Sequence, residues 1–171
     1  MVVVVTNATA MDSNAATAFC KMLAASFAYR KIDCEIISSK VERSLIDVTS
    51  SEAVNSDFAK ELGSKELADF HIDVRSYDPE SVGSSIASLD FIIAKVPGVT
   101  DDDTNVSITN TLGNFSDTEE KILIPHTMYP SIYSSLVLKV GTICIIVNEG
   151  SADLYRSAAD ELAEFVENLV Y

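Results

Sequence analysis

Apolar positions recur along this chain with two periods, and the way the periods alternate predicts strands and helices in turn. Val2 to Val5 is an unbroken β-branched run that reads as a buried first strand. The polar loop Thr6-Asn7-Ala8-Thr9-Ala10-Met11-Asp12-Ser13-Asn14 follows. Phe19, Met22, Leu23 and Phe27 then recur at spacings of three and four, which predicts a helix capped by Asp12, Ser13 or Asn14. After the turn Lys31-Ile32-Asp33, Cys34 to Ile37 reads as a second strand. Strand, helix and strand within forty residues predict a βαβ unit with a right-handed crossover and parallel strands.

The same reading continues to the last residue. A helix is expected from Glu52 to Ala68 with an interruption near Gly63, and a short alternating strand from Phe70 to Val74. Asp78-Pro79-Glu80 opens a short helix toward Ser88, and Leu89 to Ala94 is expected to be a central strand buried on both faces. Pro97 to Glu120 is polar and too long for a featureless connection, so part of it is expected to be helical or a functional loop. Lys121 to Ile124 is a further strand, Ser131 to Val140 a helix, Thr142 to Val147 a strand, and Ala152 to Val170 an amphipathic closing helix. This alternation predicts an α/β fold in three layers, a doubly wound, mostly parallel sheet with helices on both faces. In such sheets ligands bind beyond the carboxyl ends of the strands, which selects the loops starting at Thr6, Pro97 and His126.

Length and composition narrow the classes. A chain of 171 residues, 47% of them apolar, is long enough for a single domain spanning residues 1–171. No apolar run approaches the ~20 residues that span a bilayer, so no membrane partner is expected. Met1 leads straight into the first strand without the basic segment of a secretory signal, which makes the cytoplasm the expected compartment. With 12 basic and 26 acidic residues the formal net charge is −14. That surface repels a phosphate backbone, so no nucleic-acid partner is expected, while cationic partners fit and solubility alone also accounts for the charge. Cys20, Cys34 and Cys144 lie far apart in apolar segments, the pattern of buried structural thiols rather than a disulfide or zinc framework.

Candidate ligand contacts follow from the loops. A hydroxyl-rich turn running into a helix N-terminus offers N–H groups to an anion, which makes Thr6, Thr9, Ser13 and Asn14 candidates for a small phosphate-bearing ligand. A plain turn with a helix cap uses the same residues. Pro97 and Gly98 either approach a ligand or end a strand, and His126 and Thr127 either reach a ligand from a strand end or form its rim. Tyr129 and Tyr133 can stack on a planar ring or close the core. Asp101 to Asp103 can hold a hard cation or form a solvated loop.

Taken together, these segments resemble the flavodoxin-like fold, a Rossmann-like α/β class, and within it the NADPH-dependent FMN reductases. Thr6 to Asn14 resembles that family's loop around the flavin phosphate, Asp90 to Pro97 its strand ending in a proline beside the isoalloxazine, and Leu136 to Val147 its late helix-to-strand passage. The resemblance implies FMN as cofactor, hydride transfer from NAD(P)H, and a homodimer that completes the site across its interface. Ala10-Met11 stand where the family usually carries a phosphate-binding Arg, and Gly98-Val99 where it usually carries a Tyr.

Those substitutions leave a second reading open, a non-catalytic α/β interaction or scaffold module whose ligand loops have lost their chemistry. Six glycines in the whole chain offer few close approaches for a phosphate and agree with it. A third alignment, of Val2 to Thr17 and Ile122 to Thr127 with the DHH phosphoesterases, leads to the same place. Asn7, Met11 and Ser13 stand at metal-ligand positions of that family, and Pro125-His126-Thr127 at its Asp-His-His, so it implies an inactive relative.

Overall fold

Strand β1, Val2–Asn7, is buried on both faces beyond its first residue, and its β-branched side chains suit a pleated strand covered from above and below. The computed structural model describes residues 1–42, 44–45, 55–65, 68–83, 87, 89–95, 123–124 and 141–170. Helix α1 is Asn14–Tyr29, β2 is Asp33–Ser38, α2 is Asp57–Gly63 and β3 is Phe70–Tyr77. A 3-10 turn, Pro79–Ser81, precedes β4, Phe91–Lys95; β5 is Leu123–Ile124 and β6 is Gly141–Asn148. A second 3-10 turn at Ala152–Leu154 leads into α3, Tyr155–Val170.

The six strands form one sheet in the order β2-β1-β3-β6-β4-β5. Pairing is parallel except between β6 and β4. On one face α1 and α3 pack against each other and against the sheet. Phe19, Leu23 and Phe27 of α1 meet Tyr155, Leu162 and Val166 of α3 over Val3, Val5, Ile72, Val74, Ile143 and Ile145. Phe19, Phe91 and Tyr155 join α1, β4 and α3, with ring centroids 5.7 to 6.3 Å apart. Helix α2 buries Phe58, Ala59 and Leu62 outside that cluster, beside β2, and completes a three-layer α/β arrangement.

Four local outcomes differ from the sequence reading. β3 continues through Arg75 and Ser76 to Tyr77, because β6 pairs with it over this whole length, whereas β1 pairs only as far as Val74. The helix expected from Glu52 to Ala68 is described only over Asp57–Gly63, where the Ser56 hydroxyl accepts from the Ala59 N–H. After Asp78 the chain first makes a three-residue 3-10 turn and leaves it at Val82; Ala87 is helical, its N–H donating to the Gly83 carbonyl, and residues 84–86 and 88 lie outside the described residues. β4, expected as a central strand, stands next to the edge strand β5 and runs antiparallel to β6. Tyr77 Oη donates to the Leu89 carbonyl and so ties the chain just before β4 to the carboxyl end of β3. β4 starts at that edge, with Phe91 opposite Val147 and Lys95 opposite Ile143. A flavodoxin-like sheet continues 2-1-3-4-5; here the first three positions follow that order and β6 takes the fourth. The expected elements at Pro97 to Glu120 and Ser131 to Val140 lie outside the described residues.

Candidate functional site at the carboxyl edge of the sheet

The carboxyl ends of β1, β3 and β6 lie side by side and bring the β1–α1 loop against the turn that follows β6. Ser13 is the N-cap of α1: its Oγ accepts from the Ala16 N–H at 3.2 Å. The same Oγ lies 2.5 Å from Ser76 Oγ, and both hydroxyls reach Glu149 Oε1, Ser76 at 2.9 Å and Ser13 at 3.2 Å. Behind them Asn7, on the α1 side of β1, donates from Nδ2 to Thr17 Oγ1 at 3.0 Å, and Thr17 Oγ1 donates to the Ser13 carbonyl. Asn7 Oδ1 and Thr9 Oγ1 are buried and find no hydrogen-bond partner among the described residues. The hydroxyl that caps α1 is thus occupied by the chain's own carboxylate, and the orphan atoms beside it include an obligate acceptor, the Asn7 carbonyl oxygen.

Asn148 fixes the turn that carries Glu149. Its Nδ2 donates to the carbonyls of Ala87 and Leu89 at 3.1 and 3.0 Å, and its N–H donates to the Asp90 carbonyl. Its Oδ1 accepts from the Gly150 N–H, and its carbonyl accepts from Tyr155 Oη at 2.5 Å. A Cβ at Gly150 would stand 3.2 Å from Asn148 Oδ1, so glycine suits this close approach. Burial, followed by the neighbouring Glu149 carboxylate, pushes the Tyr155 phenol up to about 12, and it remains a donor at neutral pH.

Thr6 points the other way. Its side chain enters a buried network on the opposite face, where Oγ1 donates to Asp73 Oδ1 at 2.8 Å and lies 2.9 Å from His71 Nε2. With the hydroxyl proton committed to Asp73, Nε2 is the donor in the second contact, which selects the Nε2–H tautomer. Arg75 Nε donates to Asp73 Oδ2 at 2.9 Å. Burial pushes His71 down to about 4, against the opposing pull of Asp73, so the imidazole is neutral at pH 7. Thr6, His71 and Asp73 are fully buried, and Arg75 is the partly exposed member of the network.

Of the residues selected from the sequence, Thr9 and Ser13 share one turn, in which the Thr9 carbonyl accepts from the N–H groups of Asp12 and Ser13. Asn14 opens α1 with its side chain exposed, and Thr6 belongs to the opposite face. Pro97, Gly98, His126 and Thr127 lie outside the described residues, as do Asp101 to Asp103, Tyr129 and Tyr133. Sequence reasoning missed Ser76, Asn148 and Glu149. The motif Asn148-Glu149-Gly150 behind an apolar strand was the available signal, and it becomes meaningful only once β6 is known to neighbour β3.

Among the described residues no group of three or more His, Cys, Asp or Glu is placed to hold a metal ion, and no helix is long and apolar enough to cross a membrane. No protein-family model matches the chain, and no curated protein matches it in sequence.

Proposed function

We propose that this chain is a binding module built on an α/β scaffold, without flavin chemistry of its own. The observation that carries this reading is the Glu149 carboxylate on the Ser13 and Ser76 hydroxyls at the start of α1. A flavin phosphate held by the β1–α1 loop would bring its negative charge against that carboxylate, in a loop where Ala10-Met11 supply no compensating cation. The hydroxyl of Ser13 is already spent on the Ala16 N–H and the two side chains beside it. The acceptor-rich edge suits a ligand or partner that brings donors or positive charge, as does the formal charge of −14.

The test is a fluorescence titration of FMN with cofactor-stripped protein, followed by absorbance at the flavin band with NADPH present. This reading expects no saturable quenching at micromolar protein. Saturable quenching, or flavin reduction that depends on the protein, would overturn it in favour of the FMN-dependent oxidoreductase reading.

A further inference from the structure

A cavity of about 290 Å³ opens where β2 ends and α2 begins, at the lower end of the ~300–1,000 Å³ range of small-molecule sites. Residues 38–41 contribute one part of its lining and residues 55–58 with Glu61 the other. Its apolar lining is Phe58, buried beneath α2, and Val41. The neutral hydroxyls are largely spent within the chain. Ser39 Oγ donates to the Val41 carbonyl and accepts from the Val41 N–H, and Ser56 Oγ caps α2. The charged groups that remain are of opposite sign and come from the two different segments. Lys40 follows β2, whereas Asp57 and Glu61 stand four residues apart on α2 and so share one face of that helix.

We infer that this cavity binds a small zwitterion of the α-amino-acid class. The ammonium group sits between the Asp57 and Glu61 carboxylates, the carboxylate pairs with Lys40, and an aliphatic side chain rests on Phe58 and Val41. A purely anionic ligand meets two carboxylates in this lining, and a purely cationic one meets Lys40. A molecule carrying both charges a few bonds apart satisfies all three groups, and its side chain gains from leaving water. The inference rests on the reading of the chain as a binding module. The cavity lining shares no residue with the β1–α1 loop, although the Ser39 N–H donates to the Asn7 carbonyl at the end of β1, and leucine and FMN are read in separate titrations, so either result can fail while the other stands.

Isothermal calorimetry on the full chain tests it with L-leucine as the probe, beside N-acetyl-L-leucine, which lacks the ammonium group, and L-leucinamide, which lacks the carboxylate. Saturable binding of L-leucine is expected, at least about tenfold tighter than either derivative, a ratio worth 1.4 kcal/mol. Lys40→Gln should weaken L-leucine at least tenfold and leave L-leucinamide unchanged, whereas Glu61→Gln should weaken both. Lys40 and Glu61 are exposed, so both variants should fold, which circular dichroism checks. No saturable heat with L-leucine overturns the inference. So does leucinamide binding equal to that of leucine, which would mark a site for cations alone.

Discussion

Ser13 and Glu149, 136 positions apart in sequence, share a hydrogen bond at the carboxyl edge of the sheet, and Ser76 reaches the same carboxylate oxygen. The bond joins the start of α1 to the end of β6 and places an anion where the hydroxyl-rich loop alone suggests a receptor for one. Ser13 therefore has two structural duties, as helix cap and as cross-sheet tie. Ser13→Ala should cost about 1–2 kcal/mol, at the upper part of the range for lost caps, while exposed Asn14→Ala should stay within about 0.5 kcal/mol. Urea unfolding of the two variants side by side checks the contrast, and equal losses would contradict it.

Asn148 satisfies both of its amide donors and its carbonyl oxygen within the turn region. Asn148→Ala removes donors from the Ala87 and Leu89 carbonyls and should cost about 2–4 kcal/mol, one to two hydrogen bonds with partners left behind. Asn148→Asp should cost more, because a carboxylate oxygen would then face those carbonyls. Chemical denaturation of the two variants gives the order, and an aspartate as stable as wild type would refute it.

His71 is held neutral by burial, with a folded-state value of about 4 against 6.5 for the free side chain. Below pH 6.5 the unfolded chain binds a proton that the folded chain refuses, so this contribution to stability is complete above pH 6.5 and is lost progressively as the pH falls toward 4. The full contribution is on the order of 3 kcal/mol. His71→Gln, which cannot titrate, should flatten the stability profile over that window by about one proton, measured by urea unfolding from pH 4 to 7.5. An unchanged slope would place the linked proton elsewhere.

Cys20 and Cys34 are poor nucleophiles for a physical reason. Burial raises both thiols, Cys34 to about 12, and Cys20 is further opposed by the Asp73 charge. Neither should react with a disulfide reagent at pH 7.5 until the protein unfolds, and the partly exposed Cys34 should react before Cys20 as denaturant is added. Immediate labelling of Cys20 in the native protein would count against this packing.

The α/β class and the parallel pairing of the first two strands were legible because apolar runs and helical spacing carry local information. β1 and α1 stand out in Val2 to Val5 and in Phe19, Leu23 and Phe27. Which strand neighbours which is not local, and the candidate site depended on that. Glu149 gained meaning only from the placement of β6 beside β3. The alternation of Phe70, Ile72 and Val74 with His71, Asp73 and Arg75 looks like a strand with one wet face. In the fold both faces are covered, and the polar set becomes a hydrogen-bonded interior cluster. That distinction turns on what packs above the sheet, which no periodicity encodes.

Strand β6 sits in the middle of the sheet although it comes almost last in the chain, and both β3 and β4 depend on it for a partner. During synthesis the facing edges of β3 and β4 therefore stay open until residues 141–148 have emerged. Ribosome-bound chains halted before residue 141 should be cut readily by protease across β3 and β4, whereas the full chain should resist. For this molecule a strand made after the other five is the keystone that joins the β2-β1-β3 half of the sheet to β4 and β5.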